Sequence, residues 1–255
     1  MTIELLFHQL HKEMTERVFL KNNPVLKQVK EGVPSPQFLA EVIRQYVCFP
    51  EKIVNMLKGA AEHFPASHPI QEELKRNWGQ ENGSATGGVP HVKILQHNLK
   101  RDLLIDADDV QASVATKKFL STVLNGMKEN TWFSIGQVYG LEASAVPELA
   151  IILGPALNTY ASLIGKSQPI QKVALVEKGT YTLPNIRTEQ EAYEMEMSDW
   201  FALHIVDFEV GHRDFLREKI STVLLEDSDQ TEFARGFRAV LDAMDVWWEE
   251  LNKGK

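Results

Sequence analysis

The stretch from Asp199 to His212 reads Asp-Trp-Phe-Ala-Leu-His-Ile-Val-Asp-Phe-Glu-Val-Gly-His, so it places two histidines and several carboxylates in an otherwise apolar run. Charged groups on a buried helix face are unfavourable unless they are paired or coordinated. Nitrogen and oxygen donors without thiolates favour iron or manganese over structural zinc. The stretch therefore predicts ligands for a metal ion.

The spacing of these residues does not suit a straight α-helix. Glu209 and His212 are three residues apart and share a face, as His204 and Asp207 do. His204 and His212 are eight residues apart, which separates them by about 80° around an ideal helix. One extra residue, held as a π-bulge between His204 and Glu209, would align Glu209 with both histidines. We therefore predict a π-bulge, with Asp207 as the alternative acid.

Three more candidate ligands lie in other segments. Glu81 stands near a predicted helix end, and His91 follows a glycine-rich turn at a predicted helix start. Glu142 has apolar or small neighbours in Val138–Val146, where a carboxylate is unfavourable unless something positive meets it. With His204, Glu209 and His212, these residues make a set of six nitrogen and oxygen donors that suits one or two iron ions.

Each residue also has a purely structural interpretation. A histidine on an apolar helix face is more often a buried structural side chain than a ligand. Glu81 could be solvated at a helix end, Glu142 could pair with a basic residue of another helix, and Asp207 and Glu209 could both face water. The placement in three separate segments favours the metal interpretation, although sequence order alone does not establish that the residues converge.

Composition narrows the class of protein. The formal net charge is -8 over 255 residues, without a dense lysine or arginine cluster, so no nucleic-acid partner is expected. Apolar stretches broken within about a dozen residues predict no membrane span, and the N-terminus lacks the basic region of a signal peptide. The single cysteine, Cys48, excludes a disulfide framework and iron–sulfur clusters and fits a cytoplasmic location.

Helical periodicity runs along nearly the whole chain, and no strand alternation, repeat or low-complexity linker interrupts it. A break or kink is predicted at Pro147. The spacing of Thr188 and Glu191 predicts a capping box that starts a long helix holding the 199–212 stretch. Other helices are predicted over about 39–47, 50–60, 69–82, 109–126, 130–145 and 231–251. We expect an all-α fold, with residues 1–255 forming a single helical domain.

Several of these segments resemble the heme-oxygenase-like di-metal oxidases, and most closely the CADD-like branch of that superfamily, which is related to TenA- and PqqC-type folds. The matching pieces are Asn77–Gly83, His91, Tyr139–Glu142 and Phe201–His212, and Gly236–Glu250 resembles the final helix of the family. The similarity covers roughly residues 35–250. It implies a heme-oxygenase-like, seven-helix up-and-down bundle with a central site between helices.

The resemblance also implies a function. The chain would be a metal-dependent oxidoreductase with two non-heme metal ions, iron or iron with manganese, and no heme. It would activate dioxygen on a small organic substrate or on its own side chains. Glu81 and His91 would bind one ion and His204, Glu209 and His212 the other, while Glu142 would be the bridging and catalytic carboxylate. No residues that bind a further cofactor are expected.

Two departures from the family and several alternatives stay open. The acid and the second histidine follow His204 by five and eight residues, whereas four and seven are usual in the family, and the Glu81–His91 segment is longer. The alternatives are a metal-free helical binding or scaffold protein of the same fold, a TenA-type enzyme with a cysteine nucleophile, and a heme oxygenase with His8 or His11 as axial ligand. The adjacent Trp247 and Trp248 could form a homodimer contact.

Overall fold

Prolines and capping side chains start most of the helices in the first half of the chain. The computed structural model describes residues 2–32 and 34–253, and of Ile53 it describes the backbone alone. The helices of this half are α1 (Ile3–Thr15), α2 (Val18–Lys21), α3 (Pro24–Glu31), α4 (Pro36–Val47), α5 (Pro50–Ala61), α6 (Pro69–Glu81), α7 (His91–Leu103) and α8 (Val114–Gly126). Proline suits the first turn because the missing N–H would have no partner there.

Two π-helical segments interrupt the second half. The elements are α9 (Thr131–Pro147), a first π-helical segment (Glu148–Leu153), α10 (Gly154–Leu163), α11 (Val173–Glu177), α12 (Glu189–Glu194), α13 (Met197–Leu203), a second π-helical segment (His204–Phe208), α14 (Glu209–Val223) and α15 (Asp227–Lys253). No strand occurs in the described residues. The all-α prediction is confirmed, and the seven helices that the resemblance implies are subdivided into shorter segments.

Helix α9 lies at the centre of the fold. It packs along α15 and also contacts α5, α8 and α14. Helix α6 packs between α5 and α14, and α7 packs against α13. Most α9 side chains from Phe133 to Ser144 are buried. A side chain on the buried part of α9 can therefore meet side chains from α14 inside the molecule.

The two longest helices touch through glycine. A Cβ atom on Gly136 would collide with the carbonyl oxygen of Phe233, and one on Gly236 would collide with that of Phe133. A Cβ on Gly140 would meet the Val240 side chain. We call this α9–α15 contact the glycine seam. Its reciprocal geometry means that the two backbones approach as closely as the absence of side chains allows.

The paired tryptophans of α15 anchor that helix within the chain. Trp247 and Trp248 are 1% and 0% exposed. The Trp247 indole donates to Thr116 Oγ1 at 3.1 Å, and the Trp248 indole donates to Glu148 Oε1 at 2.8 Å. Neither ring is available for a contact between two copies, so the predicted homodimer would need another surface.

One helical stretch is more apolar than the sequence analysis recognised. Residues Thr131–Leu163 form 33 helical residues with a mean hydropathy of 1.3, long and apolar enough to cross a membrane by length and composition alone. However, 67% of that apolar window is buried inside the fold. This burial is what the core helix of a soluble protein shows. The expectation of only short apolar stretches was wrong because this run contains just two charged residues, Glu142 and Glu148, which leave its mean hydropathy high.

The long helix predicted from Thr188 is broken in the structure. The capping box of Thr188 and Glu191 is present, but α12 ends at Glu194 and the backbone of Met195 is extended. Arg101 of α7 donates hydrogen bonds to the carbonyl oxygens of Tyr193 and Met195 at 2.8 and 3.0 Å. These bonds satisfy carbonyl groups that a continuous helix would have satisfied itself. Helix α13 then begins anew and leads into the second π-helical segment.

Candidate metal centre

Four parts of the fold bring the six predicted ligands together. Helix α6 ends with Glu81, α7 begins with His91, α9 carries Glu142, and the stretch from the second π-helical segment into α14 carries His204, Glu209 and His212. The three histidines and Glu142 are at most 3% exposed. The side chains of Glu81 and Glu209 are 12% and 13% exposed. The centre is therefore buried and rich in ionisable groups.

The π-bulge prediction is confirmed. Residues His204–Phe208 form a π-helical segment, and α14 resumes at Glu209. The wider turn compensates for the angular mismatch of an eight-residue spacing, so His204 and His212 both face the centre. Asp207 is exposed, whereas Glu209 lies 3.9 Å from His212 Nδ1. The structure thus brings Glu209 into the centre and leaves Asp207 outside it.

A glycine-rich turn positions His91. Gly83, Gly87 and Gly88 have φ angles of +98°, +63° and +88°, in the region that favours glycine. A Cβ on Gly87 would collide with the backbone of Thr188, so the turn packs tightly against the start of α12. Despite the longer spacing in sequence, His91 Nδ1 lies 3.4 Å from Glu81 Oε1.

The donor atoms lie at two ends of the centre, a His91 end and a His212 end, and the carboxylate of Glu81 faces both. At the His91 end, His204 Nε2 lies 3.2 Å from His91 Nδ1. At the His212 end, His212 Nδ1 lies 3.5 Å from Glu142 Oε2, close also to Glu209. Glu81 Oε1 lies 3.4 Å from His91 Nδ1 and 3.7 Å from His212 Nδ1, so it faces both ends.

This geometry fits metal ions. One ligand atom from each of Glu81, Glu209 and His212 lies within 4.8 Å of the other two. Metal–ligand bonds of about 2.1 Å place neighbouring ligand atoms about 3.0–3.4 Å apart. The separations of the paired donor atoms, from 3.2 to 3.9 Å, are close to that range. A small contraction around a cation would complete the group formed by Glu81, Glu209 and His212.

Two of the histidines are held in the tautomer that a metal ligand needs. His204 Nδ1 donates to the carbonyl oxygen of Trp200 at 2.7 Å, and His212 Nε2 donates to Gln80 Oε1 at 3.1 Å. Because these oxygens accept hydrogen bonds, the opposite nitrogen of each ring faces the centre, and an ion would bind His204 Nε2 directly and His212 Nδ1 in place of its proton. Metal-binding histidines typically donate their other N–H to such a partner.

Gln80 is a residue that the sequence analysis missed. Its amide oxygen also accepts a hydrogen bond from Arg76 Nη1 at 2.5 Å, which keeps the oxygen turned toward His212. The only sequence signal was its position beside Glu81. His91 has no comparable partner, since its Nε2 makes no hydrogen bond within the described residues. Its ring stacks on Phe208 at 4.9 Å, with Nδ1 left for polar contact.

The carboxylates around His212 favour a positively charged group beside them. Burial lowers the pKa of His212, but the hydrogen bond and charge of Glu142, with the charges of Glu209 and Glu81, outweigh burial and raise it to about 9. Burial raises the pKa of Glu209 well above its usual value. No lysine or arginine forms an ion pair with these carboxylates in the part of the chain that the structure describes. A divalent cation would supply the missing charge.

At the His91 end, His204 and Glu81 both favour their unprotonated forms. Burial, together with the neighbouring His91, lowers the pKa of His204 to about 3. A neutral imidazole is the form that binds metal ions. Burial alone would raise the pKa of Glu81, but the nearby histidines lower it overall. The Glu81 carboxylate therefore stays ionised between the two ends, as a ligand shared by two cations would.

A cavity of about 50 Å³ adjoins the donors. Glu81, His91, Glu142, His204 and Glu209 line it on one side. Its remaining wall is mostly apolar and includes Phe49, Leu57, Val92, Leu149 and Trp200. Such a wall keeps water away from reactive groups and leaves room for a small molecule.

The residues required by the alternative enzyme classes lie elsewhere. Cys48 is buried at the end of α4, donates to the Val110 carbonyl at 3.7 Å, and does not line the cavity. Burial raises the pKa of its thiol, which disfavours a nucleophilic thiolate. His11 Nε2 is hydrogen-bonded to the Tyr139 hydroxyl at 2.8 Å, and His8 is exposed. Neither histidine contacts the six donors.

Comparisons with known proteins agree with this fold. The model of the family DUF3865, described as a domain of unknown function with a solved structure, matches residues 4–156 and 170–254. A CADD-like protein of unknown function from Nostoc punctiforme is similar in two crystal structures. The first has a TM-score of 0.79 at 26% identity, covering 98% of this chain and 97% of that one. The second has a TM-score of 0.73 at 28% identity, covering 98% and 94%.

A more distant similarity concerns the fold alone. A TenA homologue from Pseudomonas syringae pv. tomato has a TM-score of 0.61 at 14% identity, covering 97% of this chain and 93% of that one. No curated protein is similar enough to count as a relative. The predicted resemblance to CADD-like and TenA-type helical folds is confirmed.

Proposed function

The chain belongs to the DUF3865 family, and from its buried centre we propose a metal-dependent oxidoreductase with two non-heme metal ions. The ions would be iron, or iron with manganese. The observation that carries the proposal is the convergence of three histidines and three carboxylates in one buried centre, where hydrogen bonds turn a nitrogen of both His204 and His212 toward the other donors. Such a nitrogen and oxygen donor set suits these metals.

The distances suggest how the six ligands divide. Glu81, His91 and His204 would hold one ion, and Glu142, Glu209 and His212 the other. This division moves His204 from the ion of Glu209 and His212, where the family resemblance put it, to the ion of His91. The sequence analysis gave the bridging role to Glu142. Since Glu81 Oε1 faces both ends, Glu81 is now the favoured shared ligand, and Glu142 stays the proposed catalytic carboxylate beside His212.

The chain's own residues would hold the centre ready for reaction. When bound, the two ions would supply the redox chemistry that activates dioxygen toward a small organic substrate or a side chain of the protein. The carboxylates of Glu81, Glu142 and Glu209 would balance the charge of the cations. Trp200 and Gln80 orient their histidines, and the apolar wall excludes water from the cavity.

The proposed partners follow from the same features. They are dioxygen and a small-molecule substrate. The net charge of -8 argues against nucleic acid, and the burial of the long apolar helix argues against a membrane. A single buried cysteine fits a reducing cytoplasm. A homodimer stays a prediction that its oligomeric state in solution would test.

Metal content and anaerobic Fe(II) titration test the proposal directly. The wild type should bind two equivalents and consume oxygen afterwards. His212→Ala and Glu142→Ala should each bind less, because each loses a ligand at the His212 end. Asp207→Ala is the matched control, since it removes an exposed acid from the second π-helical segment and should bind as the wild type does.

The outcomes separate the alternatives. One equivalent in the wild type would indicate a mononuclear enzyme. Absence of specific binding, with all four proteins equally folded, would refute the enzyme and support a metal-free helical binding or scaffold protein of this fold. A Soret band in the absorbance spectrum would instead favour a heme protein.

A further inference from the structure

The cavity beside the centre has a wall that is almost free of charge. Apart from the metal donors, it is lined by apolar side chains such as Phe49, Leu57, Val92 and Leu149. No lysine or arginine lines it among the described residues. A negatively charged group could therefore be neutralised only at the metal ions, and a positively charged group would compete with them for the carboxylates. The wall itself suits an uncharged molecule.

One polar group interrupts this wall. Tyr46 lines the cavity and is 4% exposed, and its hydroxyl makes none of the hydrogen bonds found among the described residues. Because this hydroxyl is not one of the fully buried polar atoms that lack a partner, it stays accessible to a molecule that enters the cavity. Burial, with the charges of Glu148 and Glu209, raises the pKa of Tyr46 well above its usual value, so the hydroxyl keeps its proton and can donate it in a hydrogen bond.

The ring of Tyr46 is fixed in place. It lies 6.3 Å from Trp247 and 6.3 Å from Trp248, both of which are fully buried on α15. Packing on two sides limits the movement of the ring, so the direction of its O–H donor is set before a ligand arrives. A preorganised donor loses little conformational freedom on binding.

The size of the cavity limits what it can hold. One ordered water needs roughly 10–15 Å³, so a cavity of about 50 Å³ holds only a few such volumes. A ligand of about four non-hydrogen atoms, in addition to whatever binds the ions, matches this space.

We propose that the cavity binds a compact, uncharged and largely apolar substrate, or the part of one that reaches it, through a hydrogen bond from the Tyr46 hydroxyl to an acceptor oxygen. This rests on the proposed function, since it takes the cavity as the substrate side of the metal centre. Ketones, esters and ethers of small size have the required chemistry.

Three probes of equal size test the charge preference. Acetone, acetate and isopropylammonium each have four non-hydrogen atoms but differ in charge. Each would be titrated into isotope-labelled protein, metal-free and loaded with redox-inactive Zn(II), and followed by NMR chemical shifts. Acetone should bind both forms and shift residues that line the cavity. Isopropylammonium should not bind the Zn(II) form, and acetate should bind only that form.

Two tyrosine variants test the hydrogen bond. Tyr46→Phe removes only the hydroxyl and should weaken acetone binding by roughly three- to tenfold, the usual effect of one neutral hydrogen bond. Acetate binding should not change in this variant. Tyr160→Phe is the matched control, because Tyr160 is also buried but does not line the cavity. It should bind acetone as the wild type does.

Two results would overturn the proposal: acetone affinity unchanged by Tyr46→Phe, or isopropylammonium binding to the Zn(II) form as tightly as acetone. Zinc content, measured on the same samples, keeps the two proposals apart. Tyr46-dependent acetone binding in protein that holds no zinc would support the cavity proposal while contradicting the metal centre. Stoichiometric zinc, with acetone binding that is the same in the wild type and in Tyr46→Phe, would support the metal centre and contradict the cavity proposal.

Discussion

Two buried carboxyl groups, Glu142 and Glu148, lie six residues apart on one helical rod in opposite surroundings. Glu142 faces the centre, where His212 Nδ1 lies 3.5 Å away. Glu148 lies beside α15 and accepts one hydrogen bond, from the Trp248 indole. Burial raises the pKa of Glu148 to about 8, so this group is a neutral carboxylic acid at neutral pH. The two carboxyl groups therefore differ in their partners, an imidazole for Glu142 and an indole N–H for Glu148.

The glycine seam and the metal centre, which both include residues of α9, also differ in what stabilises them. The glycine seam is stabilised by close packing of backbones and apolar side chains, and it needs no bound ion. The metal centre gathers ionisable groups whose desolvation opposes folding until opposite charge compensates it. We therefore expect substitutions in the seam to change stability, and substitutions in the centre to change metal affinity.

The largest effect is expected from filling the glycine seam. Gly136→Val should destabilise the protein by at least about 3 kcal/mol, at the upper end of overpacking effects, because its side chain would collide with the backbone of Phe233. Thermal unfolding would show this as a drop of roughly 6–12 °C. Gly59→Ala in α5 is the control, since a Cβ there meets no atom within 4 Å, and it should be neutral or slightly stabilising. Equal melting temperatures for the wild type and Gly136→Val would contradict the seam.

A smaller effect, on metal binding, is expected at Gln80. Gln80→Leu removes the acceptor that fixes the His212 tautomer and should weaken Fe(II) or Zn(II) binding by about 10- to 100-fold. Melting temperature of the metal-free protein should change little. Gln71→Leu on the same helix is a suitable control, because Gln71 contacts the backbone of Ala61 and Phe64 rather than the centre. Equal metal affinity for both variants would show that Gln80 does not position His212.

The local features of this site were predictable from the sequence. The π-helical segment follows from the eight-residue separation of His204 and His212, because two ligands of one centre must face the same way. Sequence alone left Asp207 and Glu209 as alternatives, since the position of the extra residue decides which acid turns inward. The observed segment ends at Phe208, and Glu209 is the acid that faces the centre.

The non-local features were not predictable. Gln80 meets His212 across 132 residues of sequence, and Arg101 reaches Met195 across 94. Periodicity and capping patterns describe neighbours along the chain, so they give no information on such partners. The break after α12 was missed for this reason. The glycine seam was missed likewise, because glycines in a helical pattern reveal nothing about the helix that packs on them.

The smallest predicted effect is on the pH dependence of stability, and it concerns Glu148. The pKa of Glu148 is about 8 in the folded protein against a usual 4.5, so the unfolded chain loses its proton first. Stability should therefore fall as the pH rises from 4.5 towards 8. Glu148→Gln keeps an acceptor for Trp248 and should flatten this dependence, with a gain of about 1–2 kcal/mol at pH 8 after the loss from burying an unpaired amide N–H.

Urea unfolding of both proteins at pH 5 and pH 8 would measure the difference. At pH 5 the variant should have little advantage, because this pH is only about half a unit above the usual pKa of 4.5 and most of the pH-dependent loss of stability has yet to occur. A gain in the variant that is the same at both pH values would mean that Glu148 is ionised in the folded protein, which would contradict the raised pKa of this group.

The glycine seam also has a consequence for synthesis. Helix α9 leaves the ribosome long before α15, whose residues 227–253 cover it. At about 5–20 residues per second, the ninety or so residues after Leu163 take on the order of 5–20 s to translate. Throughout that interval the most apolar helix lacks its packing partner. The nascent chain therefore exposes apolar surface of the kind that chaperones bind, and the metal centre, whose ligands come from both sides of α9, cannot assemble before His212 has been made.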